Sequence, residues 1–273
     1  GGVRLLVATD QEGGMVQVLN GPGFSDMPSA LQQGRLTPIP AATPGRRVAQ
    51  QLAKAGVNMN LAPVEDTVPS PAAARNNPPI GRYHREFGYR VRVVATHGRA
   101  VMIGMSRHGV APTIKHFPGL GRVHANTDTS AGVTDNVTTR HDAYLTPFTT
   151  SIDAGAPVVM MSTAYYHRID PRHPAAFSPT IIRGMLRGDL RFRGVVISDD
   201  LANARQTSRW SPGTRALTFL NAGGDLVLTV SPRTLPAMYD AVLARAQHDA
   251  AYRAKVDASA LRVLQLKQAR GLL

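Results

Sequence analysis

Residues 115–121 read KHFPGLG, and residues 194–201 read GVVISDDL. Each is an apolar run that breaks into a polar loop, and each delivers charged groups at the break. A (β/α) barrel assembles its active site in this way, from the C-terminal ends of different strands. Other short apolar runs bounded by turn residues predict strands at VRLLVATD (3–10), VNMNLAP (57–63), VAPTIKHF (110–117), PVVMMST (157–163), GVVISDD (194–200) and DLVLTV (225–230). Their hydrophobicity is continuous rather than alternating, which suits strands covered on both faces, as in a parallel sheet. Between them lie helical patterns at 43–56, 89–109, 138–155 and 178–190, followed by a long helical C-terminal stretch. Gly56 is positioned as a C-cap, and Ser178 with Pro179 as an N-cap and first helical residue. Strand and helix alternate without a low-complexity linker, which predicts one α/β domain over 1–273. The proline- and asparagine-rich stretch 64–88 reads as a long loop, and long ordered loops are often functional.

The 273 residues are enough to bury a large core. No run of eighteen apolar residues occurs, so no transmembrane segment is expected. The absence of cysteine excludes disulfides and thiolate metal sites. The net charge of +13 comes from arginine, since Lys54, Lys115, Lys255 and Lys267 are the only lysines. These arginines are scattered, with little aromatic interleaving, so they read as a solvated surface rather than a nucleic-acid site.

In GVVISDDL a buried strand ends in two carboxylates, Asp199 and Asp200, which is costly unless they are bonded or used. Adjacent strand residues point to opposite sides. Either one faces the barrel mouth while the other caps the next segment, or both serve as loop acids. In KHFPGLG, Lys115 and His116 end a strand and can donate hydrogen bonds to sugar hydroxyls, while the glycines admit close backbone approach. TDQEGG (9–14) repeats the design, with Asp10 placed to accept hydroxyl hydrogen bonds or to shape a turn.

TDQEGGMVQ, NLAPVEDTVPS, NPPIGRYHREFG, KHFPGLG, IDPRHPAAFSPTII and FRGVVISDDL occur in this order along the chain. Together they resemble glycoside hydrolase family 3, over nearly the whole chain. The chain is similar to that family's single-domain bacterial β-N-acetylglucosaminidases, and its KHFPGLGRVHANTDT segment is similar to the actinobacterial, often lipoprotein, members. The resemblance implies a (β/α)8 TIM-type barrel, of which the first one or two β/α units are missing before DQEGG. The expectation is an open barrel edge. It also implies a retaining exo-β-N-acetylglucosaminidase acting on peptidoglycan-derived sugars, with no metal or organic cofactor. A non-catalytic sugar-binding descendant is the alternative. An upstream lipoprotein signal would place it at the cell envelope, and its absence in the cytoplasm.

Carried over by residue, Asp199 matches the family nucleophile and Asp10 the acid that holds the terminal sugar's hydroxyls. Arg85, in REFG, matches the arginine of an RSFG pattern, and Lys115 and His116 match the sugar-binding pair. Many relatives carry Asp-Ser-His in the loop after KHFPG, with that histidine as acid/base. Here the triplet is Asn126, Thr127, Asp128, so Asp128 stands in its place and His124 is the substitute candidate. A carboxylic acid can do this work if its pKa is raised. Met15 stands where the family usually has arginine.

Overall fold

The computed structural model describes residues 2–36 and 38–273. The domain expected over 1–273 includes Gly1 and Thr37, which lie outside the described residues. The chain opens with β1 (Ala8–Thr9) and a hairpin of β2 (Gln11–Gly13) and β3 (Val16–Gln17). Next come α1 (Ala30–Gln33), α2 (Pro38–Lys54), β4 (Met59–Asn60), α3 (Pro71–Arg75), α4 (Val91–Ser106) and β5 (Ala111–Phe117). After these follow β6 (Thr134–Asp135), α5 (Thr146–Asp153), β7 (Val158–Met161), β8 (Tyr165–Tyr166) and β9 (Asp170–Pro174). β10 (Val195–Ser198) leads to α6 (Pro212–Ala222), α7 (Leu235–His248) and α8 (Ala250–Ala269).

β1, β4, β5, β7 and β10 lie side by side in that order, all in parallel pairs. Leu226 bridges Ile197 in parallel on the far side of β10. All six expected strand positions are therefore present, in sequence order, in the curled parallel sheet of a TIM-type barrel. The hydrophobic runs are continuous because both faces are covered. On one face Ile114, Val159 and Val196 pack with Met102, Phe148 and Phe219 from the helices. On the other, Met59, Met160 and Ile197 pack with Leu266 of α8. Each such side chain contributes roughly 1.5–3 kcal/mol on burial.

Several boundaries differ from the sequence expectation. The first strand shrinks to two residues, and Leu5 is 75% exposed. The sixth shrinks to a single bridge. Both lie at edges of the sheet, where only one neighbour supplies hydrogen bonds. The helix expected over 138–155 begins only at Thr146, after a short 3-10 turn (Ala143–Leu145). Asp135 explains this: its carboxylate accepts from the amides of Val137 and Thr138 and from the Thr138 hydroxyl, which holds 135–138 in a turn. Ser178 does cap the next helix, accepting from the Ile181 amide at 3.2 Å, but Thr180–Asp189 winds as a π-helix. The 64–88 loop contains α3 and a 3-10 turn over Gly81–Tyr83.

Candidate active site

DQEGG is anchored at the C-terminal end of the sheet by a side chain that imitates a strand. Asn60, at the end of β4, accepts from the Gln11 amide and donates to the Gln11 carbonyl, both at 3.0 Å. This holds β2 so that Glu12 is buried beside Arg85 and Lys115. Arg85 grips Glu12 with both arms of its fork, Nε to Oε2 and Nη2 to Oε1, each at 2.8 Å. The Lys115 ammonium lies 2.7 Å from Glu12 Oε1 and 2.6 Å from Asp10 Oδ1. Burial opposes ionisation of Glu12, but Arg85 and Lys115 outweigh it and hold the carboxyl far below the usual range. Burial likewise disfavours charge on Lys115 and Arg85. The carboxylates of Asp10 and Glu12 for Lys115, and of Glu12 for Arg85, outweigh it, so both stay firmly protonated.

The KHFPGLG loop is fastened from below. The Lys115–His116 and Phe117–Pro118 peptides are cis. Asp66, fully buried, accepts from the amides of His116 and Leu120 at 3.2 and 2.7 Å and from His116 Nδ1 at 2.7 Å. With Nδ1 donating to this carboxylate, His116 Nε2 is left toward the mouth, 3.4 Å from Arg85 Nη2. Asn77 donates to the carbonyls of Leu120 and Val123 and accepts from the amides of Ile80 and Gly81, which joins this loop to the Arg85 loop. Gly121 is required here: a Cβ would sit 1.9 Å from the Thr67 carbonyl oxygen.

Across the mouth, the two carboxylates after β10 both line the cavity, but they differ in their bonding. Asp200 is buried and accepts from the amides of Ala202, Asn203 and Val230, which fixes the following loop. Asp199 is half-buried and, among the described residues, accepts only from the Asp200 amide. The 126–128 loop closes the rim. Asp128 is shaped by the Asn126 carboxamide, which accepts its amide at 2.9 Å. The carbonyls of Thr127 and Asp128 accept from the amides of Gln206 and Arg205 at 3.0 Å. His124 lies outside the cavity, exposed, its Nδ1 3.4 Å from the Asn76 carbonyl.

A single cavity of about 550 Å³ gathers Asp10, Arg85, Lys115, His116, Asp128 and Asp199. Burial, then the Asp199 carboxylate, raises the Asp128 pKa; His116 and Arg85 pull the other way. Asp128 keeps part of its surface in water, so the shift is limited by solvent screening. The cavity thus offers cations paired with the Asp10 carboxylate on one side and the carboxyls of Asp128, Asp199 and Asp200 on the other. This suits a neutral, hydroxyl-rich ligand whose reaction develops positive charge. Among the described residues no group of three or more acidic or histidine side chains could hold a metal ion, and no helix is long and apolar enough to cross a membrane.

Residues 1–266 match the glycosyl hydrolase family 3 N terminal domain. The chain belongs to this family. A beta-hexosaminidase of Stenotrophomonas maltophilia (strain K279a) is 36% identical over 264 residues, covering 94% of this chain and 76% of the relative. The crystal structure of a beta-N-acetylhexosaminidase from Beutenbergia cavernae DSM 12333 superposes with a TM-score of 0.96 at 54% identity, over 98% of this chain and 80% of that one. A glycoside hydrolase family 3 beta-N-acetylglucosaminidase from Paenibacillus sp. str. FPU-7 gives 0.90 at 32% identity, over 98% and 50%. The chain is thus a family 3 glycoside hydrolase on a TIM-type barrel.

Sequence reasoning missed Glu12, Asp66, Asn60 and Asn77. In TDQEGG only Asp10 was singled out, and Glu12 was passed over. Its signal was its place in DQEGG, where a carboxylate has to balance the lysine and arginine of the other motifs. Asp66 stands in NLAPVED, an acid just past a strand end. The two asparagines bond mainly to backbone and left no recognisable pattern.

Proposed function

We propose that the chain is a retaining exo-β-N-acetylglucosaminidase that works as one barrel domain and releases terminal N-acetylglucosamine from peptidoglycan-derived sugars. The observation that carries this is the single cavity in which the ion-paired wall of Asp10, Arg85, Lys115 and His116 faces Asp199 and Asp128. Support for an acetamido sugar comes from the hexosaminidase relatives.

In this reading Asp10, Lys115, Arg85 and His116 hold the terminal sugar's hydroxyls. Glu12 and Asp66 fix the cations and the imidazole. Asp199, free of strong hydrogen bonds apart from its neighbour's amide, attacks the anomeric carbon as the glycosidic bond breaks. Asp128 gives its proton to the departing oxygen. Water then cleaves the glycosyl-enzyme ester, with Asp128 taking the proton back and Asp199 leaving as a carboxylate. A raised pKa suits the first of these proton transfers, because more of the acid form is present near neutral pH.

Hydrolysis of matched aryl β-N-acetylglucosaminide and aryl β-glucoside tests the reading. The acetamido sugar should give the higher kcat/KM. Equal or greater activity on the glucoside overturns the substrate assignment, and no turnover of either leaves the non-catalytic sugar-binding alternative.

A further inference from the structure

A concavity of about 400 Å³ lies at the end of the sheet opposite the mouth, where Arg193 and Gly194 lead into β10. It is lined by Arg183 and Arg187 of the π-helix, Arg193, Asn221 near the end of α6, and Lys255 and Arg262 of α8. Among the described residues no carboxylate lines it. One carboxylate stands behind it, that of Asp225, whose side chain is fully buried. Its Oδ2 accepts from Arg187 Nη2 at 2.5 Å and from the Val196 amide at 2.8 Å, and its Oδ1 accepts from Arg262 Nη1 at 2.8 Å. Both oxygens are thus engaged. Arg183, Arg193 and Lys255 take part in no ion pair among the described residues.

These cations are positioned by the fold. Arg187 donates from Nη1 to the Gly194 carbonyl at 2.6 Å, and Arg193 donates to the Arg187 carbonyl at 3.2 Å. The Lys255 ammonium donates to Asn221 Oδ1 at 2.6 Å, a neutral partner that takes one of its three protons. The Arg183 stem lies over Gly223, where a Cβ would come within 2.9 Å of Cγ. Five cations therefore converge on one concavity against one carboxylate. The C-terminus of α6 adds only about half a negative charge, too little to balance them. The repulsion registers at Arg187. Burial lowers its pKa, Asp225 opposes this, and Arg262 and Arg193 lower it further.

The surplus decides which anion fits. A carboxylate is planar, carries one charge and engages one fork. A phosphate group carries about −1.5 to −2 and three strong acceptor oxygens, so it can accept from several sides at once. Arginine forks and a lysine point charge both serve phosphate. The volume falls within the roughly 300–1,000 Å³ of small-molecule sites, more than a lone ion needs. We infer that this concavity is a binding site for a small phosphorylated ligand, at the opposite end of the barrel from the glycosidase cavity. No residue of the mouth takes part, so the site stands apart from the functional reading above.

Calorimetric titration at low salt with pyrophosphate and with a hexose 1-phosphate tests it. Wild type should bind at least one of the two at a single site, and its thermal midpoint should rise with the concentration of that probe. Arg183→Ala/Lys255→Ala should weaken binding by about tenfold or more, because each side chain supplies a charge-assisted hydrogen bond. The midpoint rise should vanish with it. Neither residue holds Asp225, so the melt without ligand should match wild type. Arg92→Ala/Arg99→Ala removes the same charge from exposed positions on α4 and should leave binding unchanged. Tighter binding of pyrophosphate assigns the site to diphosphates, and tighter binding of the hexose phosphate assigns it to phosphate monoesters. Equal weakening in the two double variants means that net charge alone attracts the anion, and overturns the inference. Binding unaltered in Arg183→Ala/Lys255→Ala, or neither probe bound by folded wild type, overturns it as well. Binding is read without turnover, so failure of the glycosidase reading leaves this test intact.

Discussion

On one wall of the mouth Glu12 is ion-paired with both Arg85 and Lys115 in a nearly dry cluster, with side chains 5%, 16% and 2% exposed. On the opposite wall Asp199 and Asp128 face the same cavity, and among the described residues neither is ion-paired. The first wall is built to keep its geometry. Its charges are desolvated, so each depends on the others and none can change protonation cheaply. The second wall keeps contact with water and with the first wall's positive field. There a carboxyl can form a bond or exchange a proton without unfolding its surroundings. In the proposed reading, holding and reacting fall to opposite sides of one cavity, and each side has the solvation its task requires.

The largest effect expected on this comparison is at Asp199. Asp199→Ala should lower turnover by about 10⁴-fold or more on every substrate, because no glycosyl-enzyme can form. Folding should be little changed, since among the described residues the carboxylate accepts only from its neighbour's amide. Steady-state rates beside a thermal melt check both halves. Substantial residual turnover on an activated aryl glycoside would remove Asp199 from the nucleophile role.

Glu12→Gln should do the reverse and act chiefly on stability. Removing this charge leaves Arg85 and Lys115 buried without their shared partner, a change that costs about 3–5 kcal/mol for buried pairs. The sign of the pH effect follows from the depressed Glu12 pKa. Its contribution is fully present above the ordinary glutamate pKa of about 4.3 and is lost as pH falls toward the folded-state value. Urea unfolding at neutral and acidic pH should show wild type losing stability on acidification and Glu12→Gln losing less. A neutral-pH loss under about 1 kcal/mol would mean that the wall is not held by this cluster.

Asp128→Ala should separate substrates by leaving group. A poor leaving group needs its proton, so natural disaccharides should slow by about 10²–10⁴-fold. Activated aryl glycosides should slow less, and azide should restore part of that rate by replacing water that has lost its base. Because the Asp128 pKa is raised, its acid form persists to higher pH than that of an ordinary aspartate, and activity on poor leaving groups declines as pH climbs through the shifted value. Asp128→Ala should lose that limb of the profile. Wild-type rates on disaccharides in this variant would turn attention to His124.

The sequence was most legible where the physics is local. Continuous apolar runs ending in turn residues marked all six barrel strands, because a strand buried on both faces has no polar side to show. Asp199, Lys115 and His116 were visible as charges at strand ends, where an unexplained polar group is conspicuous. Legibility failed at the sheet edges and at residues 138–142, where Asp135 competes for backbone amides that a helix would use. Glu12 and Asp66 were hidden for another reason. Their role is defined by partners 50 to 103 residues away, and no spacing rule within the chain encodes such a contact.

The sequence by itself determined the barrel, the order of its strands and the identity of the groups delivered to its mouth, because hydrophobic periodicity and turn chemistry act over a few residues. Only the tertiary structure decided that Asp200 caps a loop while Asp199 accepts from its neighbour's amide, that His116 presents Nε2, and that Asp128 joins Asp199 at the cavity. These depend on which hydrogen-bond partners the fold brings within about 3 Å, and in a low-dielectric interior that choice sets the charge and orientation of each group.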